Sequence, residues 1–450
     1  MNVRNHLKPE LSSLLRPYQR KGINFLLRKR GCLLADEMGL GKTVQVATAL
    51  SLLIPKSNLG RALVVVPAAL RMNWEQELGK WAPRLSVRRI RGDTQERHAN
   101  YHLPINVLIC SYEQVRQDSL FLSNEIHFDI LVLDEAQRIK NVNSATALAV
   151  RTLRRDRSWA MTGTPVENSV NDLFSIFRFV KLGLLNKAMT KNEMHETMKP
   201  YFMRRRKRDV LKDMPPIILQ DIPLELSEKQ EQTYKEVWNN RYDILKGKKN
   251  RISSSDIFSL ITKLKQICNF EPSTNESSKL EALKLIIDNL SNREDKLIVF
   301  SQYVETLKII SESLNSVIAC DIYHGGLSEN ERNRVLTLFK NEQGPRILLM
   351  SLKAGGVGLN LQEASSIVLF DRWWNPAVEE QAINRGHRFG RTDVLHVFQF
   401  FVVNSIEERI INILSDKKSI IEQYVNQAEI AEIPDLNMKD LMNIVDVHID

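Results

Sequence analysis

Asp36-Glu37-Met38-Gly39-Leu40-Gly41-Lys42-Thr43 holds the residue types that grip a phosphate. Glycines let backbone N–H groups close on phosphate oxygens. A lysine reaches the β- and γ-phosphates, and a threonine hydroxyl can ligate Mg²⁺. The run fits G-x-x-x-x-G-K-[ST], with Asp36 where the pattern begins on glycine. A second pair, Asp134-Glu135, closes the apolar run Ile130–Leu133. An aspartate at such a strand end can hold Mg²⁺, and its neighbouring glutamate can polarise an attacking water. A glycine-bearing turn and a helix cap would explain each locus singly. Together they favour hydrolysis of a nucleoside triphosphate, with Lys42 and Glu135 as catalytic groups and Thr43 and Asp134 on the metal.

These residues need a scaffold that delivers them to one place. Gly31–Ala35, Ala62–Val66, Val107–Cys110 and Ile130–Leu133 are short, continuous apolar runs separated by helical stretches, among them Thr43–Leu53. That pattern predicts a parallel sheet covered on both faces, with ligands at the carboxyl ends of its strands. Residues 185–280 are richer in charge and helix formers. They include the basic run Arg204-Arg205-Arg206-Lys207-Arg208. Strand–helix alternation resumes at Leu297–Phe300, Ile347–Met350, Ile367–Phe370 and Val397–Phe400, and the chain turns helical after Ser405. The expected fold is α/β: two doubly wound parallel-sheet lobes, 1–190 and 281–427, joined by a mainly helical connector, 191–280. An acidic tail follows at 428–450.

The chain has 450 residues, 43% hydrophobic and 26% charged, a balance that excludes a disordered chain. No apolar run reaches the roughly eighteen residues of a membrane helix. Residues 1–6 have no apolar core of a signal peptide, so an intracellular protein is expected, in cytoplasm or nucleoid if prokaryotic and in the nucleus if eukaryotic. The four cysteines form no C-x-x-C pair and read as reduced, buried thiols. His98 and His102 lack further ligands at metal spacing. Net charge is +9, but residues 1–210 carry 35 basic and 19 acidic residues against 28 and 35 in the remainder. A basic first half suggests a polyanionic partner.

The motifs, taken in order, resemble those of the Swi/Snf-type ATPases within superfamily two. Arg16-Pro17-Tyr18-Gln19 resembles the adenine-reading element, and DEMGLGKT at 36–43 is typical of the Swi/Snf branch. Val65-Val66-Pro67 with Trp74, Ser111-Tyr112-Glu113, Asp134-Glu135-Ala136-Gln137 and Met161–Pro165 resemble motifs Ia, Ib, II and III. Val299–Tyr303, Ser351–Leu361 and Asp371–Pro376 with Gln381–Arg388 resemble IV, V and VI. The resemblance runs from about Arg16 to Arg409. It implies two RecA-like lobes with ATP in the cleft between them, and double-stranded DNA, with little sequence preference and no membrane, as the partner. Arg16, Gln19, residues 36–43 and Gly356 would hold the nucleotide. Arg385 and Arg388, three apart and so on one helix face, would be arginine fingers. Ser301, Gln302, Ser351, Lys353 and Trp374 would touch DNA. The Arg204–Arg208 run resembles the family's repeated arginines between lobes.

Two positions depart from the family pattern. Gln137 stands where DEAH has histidine, and motif VI ends Arg388-Phe389-Gly390-Arg391 rather than R-I-G-Q. The connecting insertions are short, as expected of a prokaryotic, archaeal or viral member or of a motor cut from a larger protein. A strand-separating helicase and a nucleotide-regulated DNA-binding scaffold are the alternatives. DEMGLGKT and the intact Lys42, Glu135, Arg385 and Arg388 favour a duplex translocase that hydrolyses ATP.

Overall fold

Apolar runs of four or five residues, buried on both faces, satisfy their backbone polar groups by pairing in parallel. The computed structural model, described over residues 13–54, 60–163, 170–186, 188–211, 214–246, 253–290, 295–315, 318–355, 359–388, 391–425 and 438–447, builds two such sheets. The chain divides into two compact units, Met1–Asp213 and Met214–Asp450. The step in charge falls at this division.

In the first unit the strands are β1 Gly31–Leu34, β2 Ala62–Val66, β3 Val87–Arg89, β4 Val107–Ser111, β5 His127–Leu133, β6 Arg154–Met161 and β7 Phe202–Met203. Their order is β3-β4-β2-β5-β6-β1-β7, with every described pairing parallel. β1, β2 and β4 are buried along their whole length. β5 and β6 are fully buried only in their second halves. β6 escapes the sequence pattern because its first half, Arg154-Arg155-Asp156-Arg157, is polar, and only Ser158–Met161 reaches the core.

The second unit holds β8 Ile217–Leu224, β9 Leu297–Ser301, β10 Cys320–Tyr323, β11 Ile347–Ser351, β12 Ser366–Leu369 and β13 Leu395–Val402, in the order β10-β11-β9-β12-β13-β8. β8 pairs with β13 over eight residues as an edge strand, where Pro223 is tolerated. The stretch expected as a helical connector is mainly helical, but it also lends β7 to one sheet and β8 to the other. The expected acidic tail differs as well. Residues 438–445 form a helix whose Leu441, Ile444 and Val445 are buried against the helix Ser254–Asn269 and the first part of Ile406–Val425. Eight residues give too few turns for their period to stand out in an acidic stretch.

Among the described residues no helix is long and apolar enough to cross a membrane. All four cysteines are free, three of them buried.

Candidate nucleotide site

β5, β6 and β1 are neighbours in the sheet, and Leu133, Ala160 and Met161 align with Leu34 at their carboxyl ends. Whatever follows these strands therefore meets at one edge of the sheet: Asp134-Glu135 after β5, Thr162-Gly163 after β6, and residues 35–43 after β1.

The loop after β1 turns on Gly39 and Gly41, whose φ values of 86° and 73° lie in the left-handed region. A Cβ at Gly41 would also stand 2.6 Å from Nε2 of Gln19. Such successive turns point backbone N–H groups into a concavity suited to an anion, at the mouth of the helix Lys42–Leu53. Lys42 Nζ donates to the backbone carbonyl of Asp36 at 2.6 Å and lies 3.5 Å from where a Gly163 Cβ would be. Met38 and Leu40 are buried and anchor the loop, while Glu37 accepts from the Lys207 N–H at 2.7 Å. Arg16 and Gln19 open the helix Pro17–Arg28. The Gln19 amide accepts from the Arg16 N–H at 3.0 Å and donates to the Leu40 carbonyl at 3.4 Å, so the adenine-side element and the loop are in contact.

Asp134 is 6% exposed. Burial pushes its carboxyl up to about 7, and the Glu135 charge adds to this. The Trp74 indole, Lys42 and the Glu135 N–H pull the other way. The Trp74 indole N–H donates to Asp134 at 2.7 Å, and the Tyr112 hydroxyl donates to its carbonyl at 2.7 Å. Glu135 follows in a left-handed conformation, φ 52° and ψ 55°, uncommon for a residue with a Cβ. Its carboxylate accepts from the Gln137 amide at 2.9 Å, and Gln137 accepts from the Thr162 hydroxyl at 2.7 Å. Both partners of Gln137 belong to the first unit. Thr164 and Pro165 lie outside the described residues.

The second unit repeats the device. β11, β9 and β12 are neighbours, and Ser351 pairs with Ser301. Ser301 is fully buried, and its hydroxyl donates to Asp371, which also accepts from the Gln302 N–H at 3.0 Å and the Asn269 amide at 3.1 Å. Ser301, expected to touch DNA, here braces the strand end through Asp371. Gln302 donates its amide to the Arg372 carbonyl at 2.6 Å. Ser351 accepts from the Ala354 N–H at 3.3 Å, and Lys353 falls in the short helix Leu352–Gly355. Gly356 lies outside the described residues. Trp374 is half-buried, 5.4 Å from Phe258 edge to face, with the Lys265 ammonium 5.1 Å from its ring centre.

Arg385 is 3% exposed at the end of the helix Pro376–Gly386. Arg388 lies beyond that helix, so the two arginines do not share a helix face as their spacing suggested. At the end of the helix a Cβ on Gly386 would stand 3.2 Å from Ile367 and 3.4 Å from Leu395, His387 bonds to the Pro215 carbonyl at 2.8 Å, and Arg391 donates to the carbonyls of Ala364, Gln362 and Gly386. Arg391, where the family pattern has glutamine, knots this turn.

Sequence reasoning missed the second role of the basic run. Asp36 is fully buried, and its carboxylate is held by the Arg205 fork and by the Gln45 amide at 3.1 Å. Asp36 at a glycine position was the signal that a cation had to be nearby.

The model of the SNF2-related domain matches residues 18–272, and that of the helicase conserved C-terminal domain matches 278–390. An uncharacterized ATP-dependent helicase of Mycoplasma pneumoniae is 35% identical over 435 residues, covering 91% of this chain and 42% of the relative. A putative ATP-dependent helicase/translocase of Bacillus subtilis is 30% identical, covering 98% and 52%. The chain thus spans about half the length, or less, of these curated relatives. A solved Sulfolobus solfataricus SWI2/SNF2 ATPase core in complex with dsDNA is 29% identical at a TM-score of 0.46, covering 99% of this chain and all of that one. With a family model over more than half its length, and its motifs at the strand ends of two parallel sheets, the chain belongs to the SNF2-related family.

Proposed function

We propose that this chain is a DNA-dependent ATPase that couples ATP hydrolysis to movement along double-stranded DNA inside the cell, remodelling DNA or the protein–DNA complexes on it. The observation that carries the reading is the meeting of Lys42, Asp134, Glu135 and Thr162 at the ends of three neighbouring strands. The names of the relatives, ATP-dependent helicase or translocase, agree with it.

Each residue has a task in the reaction. The N–H groups of residues 39–43 and the Lys42 ammonium bind the phosphates. Arg16 and Gln19 meet the base. Thr43 and Asp134 fit Mg²⁺, since both offer hard oxygens and Asp134 is a buried carboxylate that a cation would relieve of its proton. Bound there, the ion would neutralise charge on the phosphates. Glu135 orients and polarises the attacking water, with its carboxylate aimed by Gln137. Arg385 and Arg388 supply positive charge to the transferring phosphoryl group. Gln302, Ser351, Lys353 and Trp374 serve the DNA backbone, which carries no sequence information.

The test is phosphate release with and without linear duplex DNA. Strong stimulation by duplex is expected, Lys42→Ala should weaken ATP binding or turnover, and Glu135→Gln should bind ATP without turning it over. Equal rates with and without duplex would overturn the reading. Displacement of a triplex-forming strand without separation of the duplex would mark a translocase rather than an unwinding helicase.

A further inference from the structure

We propose that Arg205 is the positioning residue of the nucleotide site, fastening the adenine-side element, the phosphate loop and the helix behind it into one piece. The proposal rests on the ATPase reading above. Arg205 lies 169 residues after Asp36, and its side chain is 13% exposed. Nε donates to one Asp36 carboxylate oxygen at 2.8 Å, and Nη2 donates to the other. Nη2 also donates to the Gln45 side-chain amide oxygen at 2.8 Å, and Nη1 donates to the backbone carbonyl of Tyr18, over whose ring the guanidinium lies at 5.4 Å. One side chain thus touches the helix Pro17–Arg28, the loop after β1 and the helix Lys42–Leu53.

The backbone around Arg205 follows the same line. The Ala35 N–H donates to the Met203 carbonyl at 2.7 Å, and the Glu37 N–H donates to the Arg205 carbonyl at 2.9 Å. Pairing of β7 with β1 therefore continues into the phosphate loop. Gly22 makes the crowding possible: a Cβ there would stand 1.8 Å from Gln45 Oε1 and 2.7 Å from Arg205 Nη2.

A surface ion pair would not need this geometry. Asp36 is fully buried, and a buried carboxylate needs a paired, hydrogen-bonded cation. The Asp36 carbonyl is also where Lys42 rests. Holding Asp36 therefore sets the loop segment against which the phosphate-binding lysine is placed. A lysine at 205 carries its donors on a single nitrogen and could not span acceptors spread as these are, whereas a planar fork reaches all three.

The experiment compares the wild-type chain with Arg205→Ala and Arg205→Lys. It measures the Kd of a fluorescent non-hydrolysable ATP analogue, KM and kcat for ATP, the Kd for duplex DNA, and the thermal midpoint. Arg205→Ala is expected to raise the ATP Kd and KM at least about tenfold while kcat at saturating ATP changes less, the mark of lost ground-state binding. Duplex affinity should stay within about twofold, and Arg205→Lys should fall between wild type and alanine. If Arg205→Ala does not fold, Arg205→Lys decides: a raised ATP Kd supports the proposal, and a wild-type Kd overturns it. A folded Arg205→Ala chain with wild-type ATP affinity, or with ATP and DNA binding lost equally, also overturns it. A wild-type chain that binds no ATP overturns the ATPase reading and this proposal with it, whereas wild-type binding shared by both variants overturns this proposal alone.

Discussion

Gln137 donates its amide N–H to the Glu135 carboxylate at 2.9 Å and accepts from the Thr162 hydroxyl at 2.7 Å, so the residue after β6 steers the acid after β5. Gln137→Ala should spare ATP binding and lower kcat on the order of tenfold, part of what a positioned general base contributes. Thr162→Val should do the same more weakly, and the double variant should be no worse than Gln137→Ala because the three act as a chain. Additive losses in single-turnover hydrolysis would show that Thr162 acts elsewhere.

Asp134 makes stability depend on pH. Its folded-state pKa is raised by burial and by the neighbouring Glu135 charge, so the folded chain keeps a proton that the unfolded chain has released at about pH 4. Stability from this group is present below the unfolded value and declines as pH rises towards about 7. Denaturant unfolding of the nucleotide-free protein should show that decline between about pH 4 and about 7, with no further loss from this group above it, and Asp134→Asn should flatten it. Because Mg²⁺ competes with the proton, its apparent affinity should be weaker at pH 6 than at pH 8. Identical pH profiles for wild type and Asp134→Asn would assign the effect to another group.

Arg385→Ala tests the arginine-finger role. A charge that acts on the transferring phosphoryl group should lower kcat on the order of 10³-fold while leaving ATP binding nearly intact. Arg391→Gln, which restores the family residue, should instead loosen the turn that ends the helix Pro376–Gly386, since five side-chain bonds to carbonyls depend on Arg391. Melting midpoints and steady-state kinetics together separate these outcomes. A midpoint drop for Arg385→Ala as large as its kinetic loss would make it a structural residue.

Lys279 and Glu407, both fully buried, meet at 2.7 Å in the second unit, and Lys279 also donates to Asn269 at 2.9 Å. Asn269 in turn reaches Asp371, the partner of Ser301. Lys279→Met alone should cost about 3–5 kcal/mol because it strands the Glu407 charge. Lys279→Met with Glu407→Gln should recover much of that, since glutamine can still accept the Val402 N–H that Glu407 holds at 3.0 Å. Chemical unfolding measures both; a single variant as stable as wild type would mean that the pair carries no net interaction.

The central strands of both sheets were legible because they are buried on both faces and so read as unbroken apolar runs. β6 was not, because four polar residues precede its buried half, and the two-residue β7 has no period to detect. The phosphate loop and Asp134-Glu135 were legible as local spacing. Arg205, Trp74 and Asp371 act through partners 169, 60 and 70 residues away, and no local pattern encodes such pairings. Arg388 misled for the opposite reason, because a spacing of three promised a helix that ends two residues earlier.

The left-handed backbone at Glu135 sets two kinds of selection against each other. Glycine would relieve a strain of roughly 1–2 kcal/mol there, and asparagine part of it. A laboratory screen that rewards heat resistance alone should therefore enrich glycine or asparagine at 135 and yield hardier, catalytically dead chains. A screen that rewards turnover should keep glutamate there and gather its stabilising changes at other positions.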